Sequence, residues 1–137
     1  MATQPMTGRE LGQARTTIAT DKVLARHLKS LADGDLAGFL ADFSPEIVVF
    51  RPLGFLGAGG VAKGLDAIGP IFTALFAEFA GPGTRFEVRQ QAIEGDYAYI
   101  VWDAETAENF YEPGSDTYII KNGKIVFQSF AGKIMRK

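Results

Sequence analysis

The spacing of apolar residues predicts helices in the first half of the chain. An apolar stripe indicates a helix from about Thr17 to Gly34; its members are Val23, Leu24, Leu28 and Leu31. Asp35 is a good N-cap for a second helix. The buried face of that helix repeats at i, i+3, i+4 and i+7, as Leu36, Phe39, Leu40 and Phe43, before Ser44-Pro45 ends it.

A strand, a loop and a third helix follow. The strand is predicted from Glu46 to Pro52. A Gly-rich loop, 54–64, lies behind it, and its stretch 57–62 is interpreted as a flexible lid at the mouth of a cavity. Apolar residues at helical spacing then predict a helix from Leu65 to Phe79, in which Pro70 indicates a kink or a late start.

The second half of the chain is rich in strands, predicted at 85–93, 97–105, 115–120 and 124–130. Asn122-Gly123 between the last two is a strong β-hairpin signal. Helices followed by a run of antiparallel strands predict an α+β fold. The length of 137 residues suits one domain, which we place at 17–137, with a flexible N-terminal arm at 1–16. Thr7 and Glu10 have capping-box spacing, so a short first helix within the arm is an alternative.

Both faces of the predicted sheet carry apolar residues. The face expected to line a cavity shows Val101, Asp103, Asp116, Tyr118, Val126, Gln128 and Phe130. The opposite face shows Ile100, Trp102, Ile119, Ile125 and Phe127. Three short helices cover only one face, so we expect a homodimer in which a second copy covers Ile100, Trp102, Ile119 and Phe127. A strongly curled sheet, or the N-terminal arm, is the alternative cover.

Composition excludes several function classes. The net charge is −2 and there is no run of Lys or Arg, which argues against binding to nucleic acid or to a membrane surface. The absence of Cys excludes thiolate catalysis, and a single His without Cys does not predict a zinc site. The Gly-rich stretch 57–62 matches a dinucleotide pattern only loosely and lies in no βαβ unit. We therefore expect no cofactor or metal, and, with no signal peptide or membrane span in the sequence, a cytoplasmic protein.

The candidate chemistry rests on a few polar residues that share a predicted face with apolar ones. His27 lies on the apolar stripe of its helix, either as a core histidine with a satisfied hydrogen bond or as a cavity-wall group that titrates near neutral pH. In the functional hypothesis Asp116 orients His27 and raises its pKa, so that His27 acts as a general acid or base. Arg51 then holds an anionic or carbonyl oxygen.

The remaining candidate residues support or line the same cavity. Asp103 is a further candidate catalytic residue, and a structural ion pair of Arg51 with Asp103 or Asp116 is the alternative. Tyr118 and Gln128 would add hydrogen bonds from the sheet. Residues expected to form the core and to line the cavity are Phe39, Phe43, Phe72, Phe76, Val101 and Phe130.

Four segments resemble those of a known family in their order and spacing. They are residues 27–38 with Gly34-Asp35-Leu36, 49–54, 63–68, and 115–126 with Asp116 and Gly123-Lys124-Ile125. From about residue 20 onward the chain resembles the ketosteroid isomerases and SnoaL-like polyketide cyclases of the nuclear transport factor two superfamily. The resemblance implies a cone-shaped, curved antiparallel sheet packed by about three helices around an internal apolar cavity.

The match to individual family residues is partial. The resemblance places Asp116 at the strand aspartate of the isomerases and His27 at their tyrosine, but Arg51 at their general base. A guanidinium cannot accept a proton from a carbon acid, so we do not expect steroid isomerisation by the usual mechanism. Asp103 falls in the epoxide hydrolases' acidic cluster, where Val101 and Phe130 replace its other members, and Gln128 replaces a cyclase histidine.

The function implied is a small-molecule-binding cone. The first hypothesis is a cofactor-independent isomerase, cyclase or (de)hydratase that acts on a small apolar carbonyl or carboxylate compound by acid-base chemistry. The alternative is a non-catalytic ligand-binding or protein-interaction module of the same fold, since fold alone does not separate the two.

Overall fold

The computed structural model describes residues 4–52 and 59–137. Its helices are α1 Gly8–Ala32, α2 Leu36–Ala41 and α3 Leu65–Phe79. Its strands are β1 Phe43–Arg51, β2 Gly60–Lys63, β3 Arg85–Glu94, β4 Tyr97–Glu105, β5 Asn109–Lys121 and β6 Lys124–Arg136. None of the helices in this part of the chain combines the length and the hydropathy that crossing a bilayer requires.

The six strands form one curved sheet in the order β2-β1-β6-β5-β4-β3. The predicted α+β fold is confirmed. The sheet is mixed rather than purely antiparallel, because β1 runs parallel to β6. Register shifts interrupt four of the strand pairings, namely β1 with β6, β3 with β4, β4 with β5 and β5 with β6. Such irregularities bend strands and increase their twist, which curls the sheet around its inner face.

The first helix begins nine residues before the predicted Thr17, so the prediction of a flexible arm over 1–16 is wrong for residues 8–16. Thr7 and Glu10 form the capping box: the Thr7 hydroxyl accepts from the Glu10 N–H at 3.1 Å, and the Glu10 carboxylate accepts from the Thr7 N–H at 2.9 Å. Farther along, the Gly95 N–H donates to the Thr17 hydroxyl at 2.9 Å and the Thr20 hydroxyl donates to the Gly95 carbonyl at 2.6 Å. These bonds attach α1 to the turn between β3 and β4.

The boundaries of β1, β2 and α3 also differ from the predicted ones, and for the two strands pairing with distant strands is the reason. Phe43 begins β1 instead of ending α2, and Pro70 lies inside α3 without delaying its start at Leu65. Residues 60–63, predicted as part of a loop, form the edge strand β2 beside β1. Of the proposed lid 57–62, residues 57 and 58 lie outside the described residues, and 60–62 belong to β2.

The predicted faces of β4 were inverted. The register pairs Ile100 with Asp116 and Trp102 with Gly114, so Ile100 and Trp102 lie on the inner face and are buried. Gly114 permits this arrangement, because a Cβ there would come within 2.5 Å of the Trp102 ring. Val101 and Asp103 therefore face outward. Ile125, expected outside, is also fully buried, because the strand register shifts near it.

The outer surface of the sheet is nevertheless apolar. We call it the outer apolar face and define it by Phe50, Val61, Tyr97, Tyr99, Ile119 and Phe127. The Phe50 ring packs edge-on against Phe127 at 5.2 Å, while 46% of Phe50 and 62% of Tyr97 remain exposed. Of the four residues predicted for a dimer contact, Ile119 and Phe127 lie here and Ile100 and Trp102 do not.

Candidate active site

The inner face of the sheet and the helices enclose an apolar cavity of about 60 Å³. Space for one water corresponds to about 10–15 Å³ on such a measure, so the cavity as folded has room for a few waters. Its aromatic lining comprises Phe39, Phe72, Phe79, Phe86, Trp102 and Phe130. Its polar lining, apart from the Trp102 N–H, comprises Arg51, Asp116, Tyr118 and Gln128. The arrangement concentrates a few polar groups on one wall of an otherwise apolar chamber.

Asp116 is the carboxyl group of that wall. It lies on β5, is 7% exposed, and receives a hydrogen bond on each oxygen, from Trp102 Nε1 at 2.6 Å and from Gln128 Nε2 at 3.0 Å. Both donors are neutral. Burial raises the pKa of Asp116 to about 6, against the two hydrogen bonds, which lower it. The group can therefore hold or release a proton near neutral pH.

Tyr118 and Gln128 flank this carboxyl. They are direct partners across β5 and β6, which places both on the inner face with Asp116. Burial, and next the nearby charge of Asp116, raise the pKa of Tyr118 well above 10, so its hydroxyl stays protonated at neutral pH and can donate. Among the described residues, the buried oxygen Oε1 of Gln128 has no hydrogen-bond partner.

His27 lies beside the cavity rather than in its wall. Its ring is fully buried, stacks on Phe39 at 3.8 Å and meets the edges of Phe43 and Tyr118. Its Nδ1 lies 3.0 Å from an oxygen of Asp42, so the prediction that Asp116 orients His27 is wrong. Burial lowers the pKa of His27, with Asp42 opposing, and the predicted rise is wrong as well.

Asp42 is the residue that the sequence analysis missed. It is 2% exposed, and its second oxygen accepts from Arg26 Nε and Nη2, each at 2.7 Å. Burial alone would raise the pKa of Asp42, but hydrogen bonds from His27 and Arg26 lower it overall. The sequence contained a signal for this pairing. His27 lies seven residues before Gly34 and Asp42 lies seven residues after Asp35, and Gly34 and Asp35 form the turn between α1 and α2. When two helices run antiparallel across a short turn, residues equally distant from the turn lie at the same level, where two polar side chains can pair.

The other predicted site residues divide between the cavity and the rest of the fold. Asp103 lies on the outer face and accepts from Arg89 Nε at 2.7 Å, so it takes no part in the cavity, and Val101 faces outward with it. Asp103 and Asp116 thus have other partners, and among described residues the predicted ion pair of Arg51 with either one is not formed. Arg51 itself lines the cavity.

Of the five predicted phenylalanines, three line the cavity. Phe39 and Phe72 do so, whereas Phe43 is packed in the core and stacks on Phe72 at 5.3 Å. Phe76 lies in a separate groove between the C-terminal ends of α1 and α3. Phe130, also predicted, lines the cavity. Across residues 4–52 and 59–137, no cluster of three His, Asp or Glu side chains could hold a metal ion.

Comparison with known proteins agrees with this geometry. The family model of the SnoaL-like domain matches residues 24–128. An NTF2-like protein of unknown function from Mesorhizobium loti is 21% identical, with a TM-score of 0.71 over 97% of this chain and 99% of that chain. A protein with a cystatin-like fold from Methylobium petroleophilum is 20% identical, with a TM-score of 0.68 over 85% of this chain and 76% of that chain.

A third similar structure contains a small molecule. TerC, crystallised with polyporic acid, is 17% identical, with a TM-score of 0.68 over 84% of this chain and 92% of that chain. Identities this low establish the common fold and nothing about shared chemistry. No curated protein shows significant sequence similarity to the chain.

Proposed function

The chain belongs to the SnoaL-like domain family, and from that premise we propose that it binds a small, largely apolar carbonyl or carboxylate compound and transfers a proton with Asp116. The reaction class is cofactor-independent isomerisation, cyclisation or (de)hydration. The observation that carries the proposal is a carboxyl group in an apolar cavity, hydrogen-bonded only to neutral donors, with a pKa of about 6. A general acid or base is most effective when its pKa lies near the working pH.

The proton transfer uses two residues of the inner face. The Asp116 carboxylate takes a proton from a carbon next to the ligand's carbonyl group, and the electron pair of that C–H bond moves to the carbonyl oxygen. Tyr118 donates a hydrogen bond to that oxygen as charge develops on it. Asp116 then returns the proton to a different atom, which completes an isomerisation. The position of Arg51 argues against the usual steroid isomerase mechanism, because a guanidinium is no base.

Binding without turnover is the second candidate. Both oxygens of Asp116 are hydrogen-bonded in the structure, as expected for a carboxyl with a purely structural role. In that case the cavity would hold a ligand, as TerC holds polyporic acid, and Asp116 would shape its polar wall.

Proton exchange at carbon tests the first candidate. We expect the wild-type protein to accelerate exchange of the α-protons of cyclohexanone or 2-cyclohexenone in D₂O, followed by NMR, above the rate in buffer. Asp116→Asn should lower the enzymatic rate by about 10²–10⁴-fold, the usual contribution of a general base. Asp103→Asn is the matched control, since Asp103 lies on the opposite face of the sheet.

The same samples separate the two candidates. Trp102 is the only tryptophan, lines the cavity and donates to Asp116, so its fluorescence reports ligand entry. A fluorescence change without proton exchange would favour binding alone. Exchange that survives Asp116→Asn would refute the role of Asp116.

We also propose that the outer apolar face pairs with a second copy of the chain. Aromatic side chains left half exposed on one contiguous sheet surface favour burial, and a two-fold axis lets one patch cover itself. Light scattering should then give about twice 14.8 kDa. Phe50→Glu should give the monomer, while Ile18→Glu on the exposed side of α1 should leave the dimer intact. A monomeric wild type would refute this assembly.

A further inference from the structure

The side-chain oxygen of Gln128 is a buried acceptor that the fold leaves without a donor. Gln128 is 5% exposed and lines the cavity, and its Oε1 has no hydrogen-bond partner among described residues. A buried acceptor without a partner destabilises the folded state, so such groups are rare in native proteins and each one calls for an explanation.

The orientation of the amide follows from its neighbour. The nitrogen Nε2 lies 3.0 Å from Oδ1 of Asp116. Above about pH 6 Asp116 is mostly ionised, and an ionised carboxylate only accepts hydrogen bonds, so the atom facing it is the nitrogen. The amide oxygen is thereby fixed in the other direction. Trp102 occupies the second oxygen of Asp116 and holds the carboxyl in place from the opposite side.

No described residue around this oxygen supplies the missing donor in the folded state. The Tyr118 hydroxyl is the nearest candidate by strand pairing, but it makes no hydrogen bond to Gln128. Arg51, the charged donor of the cavity wall, makes none to this oxygen either, and the rest of the wall is mainly apolar and aromatic. A ligand that displaces water from the cavity can therefore supply the donor that this oxygen accepts.

We propose that Gln128 is a specificity-determining residue whose side-chain oxygen accepts a hydrogen bond from a hydroxyl or N–H group of the ligand. The ligand class is a small, flat, mainly apolar molecule with one such donor, since aromatic side chains favour contact with flat rings. A molecule of the same shape without the donor leaves Oε1 unsatisfied. The inference rests on the proposed function only in taking this cavity as the ligand site.

Phenol and toluene form a matched pair for the test, because they differ by a hydroxyl in place of a methyl group. Toluene is the more apolar, so a cavity without the acceptor favours toluene. Binding is measured by Trp102 fluorescence and by ligand-observed NMR. We expect the wild type to favour phenol by about 3–10-fold, the effect of one neutral hydrogen bond. Gln128→Met, which keeps length and removes the acceptor, should abolish or reverse the preference.

Two further variants identify the accepting atom. Gln128→Glu keeps an acceptor oxygen and should keep the preference for phenol. Asp116→Asn should weaken it, because an Asn that accepts from Trp102 turns its N–H toward Gln128, whose Oε1 then faces this N–H instead of the ligand. Gln90→Met, on an exposed position of β3, is the control for a Gln-to-Met change, and thermal unfolding shows that each variant is folded.

Each remaining outcome overturns the inference. A preference that survives Gln128→Met would show that another group of the cavity wall accepts from the ligand. Equal affinity of the wild type for both compounds, or no binding of phenol, would exclude the ligand class. The proposed function fails separately. A Gln128-dependent preference without proton exchange refutes only the catalytic role of Asp116. Proton exchange without the preference refutes only the role of Gln128.

Discussion

Two buried aspartates, Asp42 and Asp116, differ in the partners that their carboxyl groups meet. They are 2% and 7% exposed, so both lose nearly all contact with water. Asp42 accepts from the charged Arg26 and from His27, whereas Asp116 accepts from the neutral N–H groups of Trp102 and Gln128. The pKa of Asp42 is lowered, and the pKa of Asp116 is raised to about 6.

The comparison shows that the hydrogen-bond partners, rather than burial, separate a structural carboxyl from one suited to proton transfer. Burial raises the pKa of both groups, and at Asp42 the hydrogen bonds from His27 and from the charged Arg26 outweigh it. Asp42 thereby remains ionised and holds α1 to the end of α2. Asp116 keeps a proton within reach near neutral pH, in the cavity where a ligand would need it.

The largest expected effect comes from removing the structural carboxyl. Asp42→Ala leaves the buried His27 Nδ1–H without an acceptor and opens a small cavity, so we expect the free energy of unfolding to fall by about 3–4 kcal/mol. Urea unfolding measures it. Asp33→Ala is the matched control, because Asp33 lies in the turn between α1 and α2 and makes an exposed ion pair with Lys29. A loss of less than about 1 kcal/mol in Asp42→Ala would contradict the structural role.

A somewhat smaller effect is the opposite pH dependence of the two sites. The pKa of Asp116 is about 6 in the folded state and near 3.8 in the unfolded chain. The folded state binds more protons between these values, so this contribution to stability is full below 3.8 and is lost as pH rises through about 6. The 2.2-unit difference (6 − 3.8) corresponds to roughly 3 kcal/mol.

Comparison with Asp116→Asn isolates this term. From about pH 3.5 to about pH 7.5, we expect the variant to gain roughly 2–3 kcal/mol of stability relative to the wild type, as measured by urea unfolding. His27 and Asp42 act in the reverse sense: their pKa values are lowered, so their contributions are lost as pH falls. An unchanged difference between variant and wild type would mean that Asp116 titrates normally.

The sequence was sufficient for the fold and for the polar residues Arg51, Asp116, Tyr118 and Gln128 of the cavity wall. The α+β layout and the family follow from element order and from short motifs. Asp116, Tyr118, Gln128 and Phe130 were placed correctly, because alternation along β5 and β6 leads directly to the inner face. The same alternation failed on β4, where both faces are apolar and the register alone decides which side points inward.

The pairing of His27 was beyond the reach of periodicity. The apolar stripe on α1 predicts that His27 is buried, but its hydrogen-bond partner depends on how α2 packs against α1. That partner, Asp42, is the C-cap of α2 and belongs to no hydrophobic repeat. The resemblance to a family led instead to Asp116. Which distant polar residues meet depends on how the helices and strands pack, and the hydrophobic pattern of the sequence does not specify this packing.

An NMR titration of the His27 imidazole tests whether the Asp42 and Asp116 sites are independent. As the only histidine it gives one NMR titration curve. We expect it to stay neutral at pH values below 6.5, because burial lowers its pKa. Asp42→Asn should lower the pKa further, since Asp42 opposes the effect of burial. Asp116→Asn should leave the curve unchanged, and a shift there would show coupling between the two sites.

The smallest expected effect on the free energy of unfolding comes from a third aspartate, which has a charged partner but is less buried than Asp42. Asp103 accepts from Arg89 at 2.7 Å, and 52% of the Arg89 side chain is exposed. Exposed ion pairs contribute about 0–1 kcal/mol, so Asp103→Asn should change the free energy of unfolding by about 0.5 kcal/mol or less, and less still in high salt. Urea unfolding at two ionic strengths measures it. A loss as large as that of Asp42→Ala would mean that partner charge alone governs stability; a small one would show that a charged partner matters to the fold only where the carboxyl group is buried.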